Sequence, residues 1–222
     1  MRINKKKYYA VVTGDIIKSS RLTTLKGKKL FNFITKCYKE LQKEFGDVLP
    51  LDISVFRGDS WQFLITKPSL SLKIALYFRT LLKTKVEGNP VDTRLSIAVG
   101  KIEYVPDDNV SVGRGEAYIA SGEGLDRLKR RNMVFKTFAP VGESVLDLII
   151  QLIDTLVNRW TFKQSLSVLG ALKGLQQKEI AKLWKKSKVT QQSIGGHLDN
   201  AGYQSIERGM AYYEKSIQNL FI

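Results

Sequence analysis

The sequence contains almost no cysteine or histidine: Cys37 and His197 are the only residues of their types among 222. A single cysteine excludes an internal disulfide and a cysteine-based zinc site, which favours a reducing compartment, the cytoplasm. The single histidine lies in a C-terminal segment with the pattern of a helix-turn-helix. A Ser-His-Asp hydrolase is therefore disfavoured.

Long apolar runs are also missing. The best stretch, residues 145–157, is interrupted by Asp147, Gln151 and Asp154, so no membrane span is predicted. The basic N-terminal cluster is followed by only a few apolar residues, and we expect no export signal. Neither the phosphate-loop pattern GxxxxGK[ST] nor the Rossmann pattern GxGxxG occurs, which excludes the two commonest nucleotide-binding motifs.

Positive charge is abundant. The chain has 36 Lys and Arg against 21 Asp and Glu, a formal net charge of +15. Clustered cations gain free energy by displacing counterions from phosphates, so we expect a polyanionic partner. Net charge alone leaves DNA, RNA, a nucleotide and acidic lipid as candidates.

The first hundred residues alternate between strand and helix patterns. β-Branched and aromatic residues predict strands, and apolar residues at helical spacing predict helices. The predicted strands are 8–13, 51–56, 61–66 and 93–99, and the predicted helices are 22–44 and 68–85. This βαββαβ order predicts an α+β, ferredoxin-like domain with both helices on one face of an antiparallel sheet.

That topology places two acidic residues together. Asp15 follows the first strand and Asp59 lies in the tip of the hairpin, and a right-handed crossover puts both at one sheet edge. Paired carboxylates suit Mg²⁺, whereas an Asp beside a Gly is also common in turns. The loop from Gly14 leads into a predicted helix start, where Lys18, Ser19 and Arg21 could receive nucleotide phosphates.

The rest of the sequence completes the first domain and predicts a second one. A helix at 115–130 and a strand at 133–138 extend the first domain, which we place at 1–140. Residues 141–165 are predicted as a connecting helix, and residues 166–222 as a helix-turn-helix domain. Within that domain we predict helices at 175–183 and 190–201, a basic turn at 185–188, and a closing helix at 203–217 with Tyr212 and Tyr213 in the core.

The second of these helices has a polar N-terminal end, as recognition helices have, and lysines surround it. Glutamine can pair with adenine edges in the major groove. The predicted DNA contacts are Lys182, Lys185, Lys186, Lys188, Thr190, Gln191, Gln192, Ser193 and His197. Such modules also serve in dimerisation or protein docking. Gly195 and Gly196 are unusual inside a helix, because two glycines cost about 1–2 kcal/mol of helix propensity.

Four segments resemble known families in order and spacing: VVTGDIIKSS (11–20), VFRGDSWQ (55–62), RLSIAVGKIE (94–103) and VGRGEAYIASGEGLDRLK (112–129). They are similar to the core of class III nucleotidyl cyclases and more closely to the SatD family of small bacterial proteins, whose chains also end in a helix-turn-helix. The resemblance covers residues 8–138. It implies that Asp15 and Asp59 bind metal, with the carbonyl of Ile16 as a further ligand.

The same resemblance also marks a departure. Active cyclases bring an Asn and, one turn later, an Arg to the phosphates, and residues 118–124 (YIASGEG) contain neither. Losing such a donor costs on the order of 10² to 10³ in rate. Arg114 and Arg127 are candidate substitutes, and surface charges are the simpler interpretation of both.

The leading hypothesis is a homodimeric, SatD-like DNA-binding transcriptional regulator, whose cyclase-like domain is a sensor for a metal or nucleotide. An active nucleotidyl cyclase or related nucleotidyltransferase using two Mg²⁺ ions is the alternative. A purely structural dimerisation domain without a ligand is the third hypothesis.

Overall fold

A computed structural model describes residues 3–22, 24–86, 90–139, 142–184 and 188–221. Its centre is one sheet of five strands in the order β2-β3-β1-β4-β5. The strands are β1 (Tyr8–Ile16), β2 (Ser54–Phe56), β3 (Ser60–Ile65), β4 (Thr93–Lys101) and β5 (Met133–Thr137). Each of the neighbouring pairs β2-β3, β3-β1 and β1-β4 is antiparallel, and β5 runs parallel to β4 at the edge. The domain is therefore ferredoxin-like, as predicted, with one added strand.

Eight α-helices surround the sheet in the described part of the chain. They are α1 (Lys28–Phe45), α2 (Ser71–Thr84), α3 (Glu116–Asp126), α4 (Glu143–Val157), α5 (Phe162–Leu172), α6 (Gln177–Ala181), α7 (Gln191–Asn200) and α8 (Tyr203–Phe221). None of the helices in the described ranges is both long and apolar enough to cross a membrane.

Alternation along β1 separates two cores. Ala10, Val12 and Ile16 lie in the larger core with the buried residues of α1 and α2. Tyr9 and Val11 lie in a smaller core on the other face, where α3 contributes its own buried side chains. Since successive side chains of a strand point to opposite faces, each residue's position in β1 fixes the face that it serves.

The C-terminal helices share the larger core with the sheet. The buried Tyr213 of α8 is hydrogen-bonded through its hydroxyl to Ser71 at 2.8 Å, and its ring packs edge-on to Phe135 at 5.6 Å. At the end of α8, the ring of Phe221 lies 5.1 Å from that of Tyr8. The last helix, α8, is therefore docked on the α/β domain, mainly through apolar contacts.

Two predictions about the C-terminal half are wrong. The predicted continuous helix at 141–165 is interrupted, because α4 ends at Val157 and α5 begins at Phe162, with Thr161 as its N-cap in a capping box. In that box Gln164 N donates to the Thr161 hydroxyl, and Gln164 Oε1 accepts from Thr161 N, which satisfies two amides at the helix start. The sequence pattern places Tyr212 in the core with Tyr213, but the side chain of Tyr212 is exposed.

Two boundaries also differ near the predicted site. Gly14 and Asp15 do not end β1, which continues to Ile16. Gly14 is needed there because a Cβ would lie 2.4 Å from the Trp61 ring. The helix predicted from residue 22 begins at Lys28, after Gly27 with a φ of 52°, and residues 19–21 form a single 3-10 turn.

Candidate functional site

The structure brings the two predicted acidic residues to one edge of the sheet. Asp15 stands near the end of β1, opposite Ser60 of β3 and Arg94 of β4. The amide of Ile16 donates to the carbonyl of Asp59 at 3.2 Å, so the end of β1 and the hairpin tip are directly bonded. The spatial expectation from the topology is met, and the metal-binding role of these residues stays a prediction.

The carboxylate of Asp15 is held by Arg94, a residue that no sequence motif assigned. Nε of Arg94 donates to Oδ1 at 3.0 Å and Nη2 donates to Oδ2 at 2.5 Å, a two-pronged ion pair. The side chains are 42% (Arg94) and 18% (Asp15) exposed, so this pair faces solvent. The hydrogen bonds to Asp15 raise the pKa of Arg94, because they stabilise its charged form.

Asp59 is held from the other side. Ser19 Oγ donates to Oδ2 of Asp59 at 2.5 Å. Lys18, which precedes the 3-10 turn, has left-handed backbone geometry with a φ of 54°. The two carboxylates and this loop line a solvent-open depression of about 370 Å³. Its lining comprises residues 15–20 together with Asp59 and Arg94.

The predicted helix N-terminus is not part of the depression. Because α1 starts at Lys28, the loop after β1 enters only a three-residue 3-10 turn, which lacks the aligned amides of an α-helix. Arg21 ends this turn and is exposed, but it does not line the depression. A phosphate would therefore meet side chains, mainly Lys18 and Arg94, rather than a helix end.

Arg114 is not brought to the site. Its amide donates to the carbonyl of Tyr104 at 2.8 Å, beyond the C-terminal end of β4, whereas Arg94 lies at the start of that strand. At about 3.4 Å per residue, Arg94 and Lys101 are separated by roughly 24 Å. The prediction that Arg114 binds nucleotide at this site is wrong, because the loop that carries Arg114 lies at the opposite end of β4 from Arg94.

The oxygen atoms of the depression are of the type that Mg²⁺ prefers. Mg²⁺ takes six oxygen ligands, and Asp15 and Asp59 line the depression together with Ile16, whose carbonyl the resemblance implies as a further ligand. Both oxygens of Asp15 accept from Arg94 and one oxygen of Asp59 accepts from Ser19. Among the described residues, no group of three or more His, Cys, Asp or Glu side chains could hold a metal. Asp15 and Asp59 are suited to a hard cation once Arg94 no longer pairs with Asp15.

A buried ionic network lies directly behind this site. Arg79 of α2 is fully buried and donates to Asp92 at 2.7 Å, to Asp154 of α4 at 2.6 Å and to Asn158 at 2.6 Å. Asp92 also accepts from the amide of Thr93 at 2.8 Å. The hydroxyl of Thr93 in turn donates to the carbonyl of Asp15 at 2.6 Å. The network joins the start of β4, and with it the site, to α4.

The predicted recognition helix is α7, and its first turn is polar and solvent-facing. Thr190 caps it by accepting from the amide of Ser193 at 3.1 Å. Gln191, Gln192 and Ser193 are exposed, whereas Ile194 is fully buried. Of the predicted lysines, Lys182 and Lys188 are exposed, and Lys185 and Lys186 lie outside the described residues. The helix thus presents the predicted polar residues to solvent.

His197 has a packing role within the C-terminal helices. Its ring stacks on that of Trp184, with centroids 5.6 Å apart and an angle of 15° between the planes. Partial burial, assisted by the nearby charge of Lys163, lowers the pKa of His197 and favours the neutral ring. In the described part of the chain, nothing lies within 4 Å of where a Cβ of Gly196 would be, so packing among these residues does not explain this glycine.

No protein-family model matches this sequence, and no curated protein matches it. Among solved structures, the chain is similar to the active GGEEF domain of a diguanylate cyclase from Vibrio cholerae, with 14% identity, a TM-score of 0.43 and coverage of 60% of this chain and 83% of that chain. It is also similar to the guanylyl cyclase domain of the RhoGC fusion protein from the aquatic fungus Blastocladiella emersonii, with 15% identity, a TM-score of 0.42 and coverage of 58% and 80%. A bacterial light-regulated adenylyl cyclase matches with 16% identity, a TM-score of 0.41 and coverage of 58% and 75%.

Proposed function

We propose that this protein is a DNA-binding regulator whose α/β domain senses a nucleotide bound together with a divalent cation. The single observation that carries the proposal is the solvent-facing ion pair of Asp15 and Arg94 beside Asp59. The resemblance of the sequence to the SatD family, with its order of motifs and terminal helix-turn-helix, supports the same conclusion.

The ligand class follows from charge. Arg94 and Lys18 supply positive charge for phosphates, and Asp15 and Asp59 supply the hard oxygen ligands that a divalent cation prefers. Arg94 and Lys18 would hold the phosphates of a Mg²⁺-bound nucleotide, and Asp15, released from Arg94, would hold the cation together with Asp59. Each charge keeps a partner of opposite sign during this exchange, so the site changes its geometry at little electrostatic cost.

Binding rather than catalysis is favoured by α3. The helix carries no Asn or Arg between Tyr118 and Gly124, and Tyr118 and Ser121 are buried against the sheet. The hydroxyls of Ser121 and Thr13 are hydrogen-bonded at 2.8 Å. Catalysis of phosphoryl transfer depends on charged donors placed at the developing negative charge. Here the matching face of α3 packs against β1 instead.

The DNA-binding part rests on α7 and on charge. Its exposed Thr190, Gln191 and Gln192 suit base edges, and the flanking lysines suit phosphates. Because recognition helices of this kind usually act in pairs, we propose a homodimer. A nucleotide that moves Arg94 would act on α4 through Thr93, Asp92 and Arg79, and so alter how two reading helices are presented.

The nucleotide site is tested by calorimetric titration of the full chain with ATP and GTP in the presence of Mg²⁺. Asp15→Asn and Asp59→Asn should each weaken binding at least about tenfold, since each removes a charged ligand worth about 1.4 kcal/mol or more. Asp52→Asn is the matched control, because Asp52 is exposed and pairs with Lys39. Pyrophosphate release that Asp59→Asn abolishes would instead establish the cyclase alternative.

The DNA site is tested by binding to random duplex at several salt concentrations. Replacing Lys182 and Lys188 by Ala should reduce the salt dependence by about one ion for each phosphate that is no longer neutralised. Gln191→Ala should relax base preference and leave the salt dependence unchanged. Lys39→Ala in α1 serves as the matched control. If the wild-type chain binds no duplex at low salt, the regulator proposal is wrong.

A further inference from the structure

A second cavity, of about 270 Å³, lies at the junction between the α/β domain and the C-terminal helices. Residues of α8 and the ends of α2 and α5 enclose it, far along the chain from Asp15. Leu172, Tyr203 and Met210 provide its apolar surface. Ligand pockets favour such junctions and combine apolar walls with a few polar groups.

Three charged side chains line this cavity: Lys73 of α2, and Glu207 and Glu214 of α8. Glu207 and Glu214 are seven residues apart, so they stand on one face of α8, with Met210 between them. Within the described ranges, none of the three forms an ion pair or hydrogen bond. Charges of both signs therefore face one small space without neutralising each other.

Two further features point to a polar ligand. Ser69, one turn before Lys73, is 2% exposed, and its hydroxyl has no hydrogen-bond partner in the described part of the chain. A buried hydroxyl is normally partnered, so Ser69, a lining residue of the cavity, keeps an unused donor and acceptor just beneath the cavity surface. The C-terminal end of α5 also reaches the cavity at Leu172, and its carbonyl dipoles favour a cation there.

We infer that this junction cavity binds an amino-acid-sized zwitterion, with its ammonium group at Glu214 and its carboxylate at Lys73. Leu172 and Met210 would contact the apolar part of the ligand. Nucleotide phosphates do not suit this cavity, because two carboxylates and a helix C-terminus oppose one lysine. The inference does not depend on the nucleotide site, since the two sites share no residue.

A ligand in the junction cavity would connect α8 to the α/β domain. Tyr203, Glu207 and Glu214 belong to α8, which follows α7 after only Ala201 and Gly202. Lys73 belongs to α2, which lies in the α/β domain. A zwitterion that bridges Lys73 and Glu214 would therefore fix the helix that follows the proposed DNA reader to the α/β domain.

The experiment is thermal unfolding of the full chain with each of the twenty standard amino acids, followed by calorimetric titration of those that stabilise it. At a concentration of about 100 Kd, a ligand specific for the folded state should raise Tm by roughly 5–10 °C. Glu214→Gln and Lys73→Met should each weaken that ligand about tenfold or more. Lys215→Met, an exposed change on the same helix, should leave its affinity unchanged.

Three outcomes would overturn the inference. In the first, no amino acid changes Tm. In the second, one does, but Glu214→Gln and Lys73→Met bind it as well as the wild type does. In the third, the diamines putrescine and cadaverine stabilise the chain and no amino acid does, which would show that Lys73 takes no carboxylate.

Discussion

Two arginine-carboxylate clusters meet at the start of β4 and differ chiefly in their access to water. Arg79 is fully buried and its guanidinium donates to Asp92, Asp154 and Asn158. Arg94 is 42% exposed and, among the described residues, its side chain donates to Asp15 alone. One arginine-carboxylate cluster is thus surrounded by protein groups, whereas the other faces solvent.

The difference in burial sets what each cluster can do. Breaking a buried ion pair leaves a charge without water or partner, whereas an exposed pair is replaced by hydration at little cost. The Arg79 network therefore holds β4 to α2 and α4 permanently. The Arg94 pair is free to exchange partners, which is the property that a ligand-responsive site needs.

The largest expected effect comes from Arg79→Met. This change leaves Asp92 and Asp154 facing each other without the guanidinium, so we expect a loss of about 3–5 kcal/mol in the free energy of unfolding. Chemical denaturation measured by circular dichroism checks it. Arg94→Met is the matched control and should cost less than about 1 kcal/mol. Equal losses in the two variants would contradict the distinction between the clusters.

A pH dependence follows from the same network. Burial alone would raise the pKa of Asp92, but the charge and hydrogen bonds of Arg79, with help from Lys83, outweigh it and the pKa is lowered. A lowered pKa in the folded state means that the stabilisation is complete above the ordinary carboxylate range and is lost as the pH falls through the lowered value. Unfolding midpoints should therefore drop as the pH falls below about 4.

The control for this pH dependence is Asp92→Asn, which should be less stable at neutral pH and should lose less stability on acidification than the wild type. Asp52→Asn, at an exposed position, should follow the wild-type curve. A wild-type curve that Asp92→Asn reproduces in shape would show that other carboxylates dominate acid unfolding.

Arg94→Gln tests the exposed ion pair between Arg94 and Asp15. Without the guanidinium, Asp15 is free for a cation, so Mn²⁺ alone should bind about tenfold more tightly, whereas a nucleotide with Mg²⁺ should bind about tenfold more weakly. Titration of both ligands measures the two shifts. Changes in the same direction for both would show that Arg94 does not exchange Asp15 for a phosphate.

Much of the fold could be predicted, because apolar alternation and turn residues mark the βαββαβ order locally. The proximity of Asp15 and Asp59 followed from topology alone. Arg94 could not be assigned, since its partner depends on the register between β1 and β4. Arg79 carried a signal, an arginine within the apolar helix α2, but its partners Asp92 and Asp154 lie 13 and 75 residues away. The break at Thr161 was visible as a capping box, and the apolar pattern across it hid the signal.

The smallest effect is expected from Ser19→Ala. It removes the hydroxyl that donates to Asp59 and leaves a carboxylate that water can reach, so stability should change by less than about 1 kcal/mol. Because Ser19 holds one oxygen that a cation would need, Mn²⁺ should bind up to about threefold more tightly, well below the gain from Arg94→Gln. The same titration measures it, with Ser20→Ala as the neighbouring control. A larger gain from Ser19→Ala than from Arg94→Gln would identify Asp59, rather than Asp15, as the carboxylate that controls cation entry.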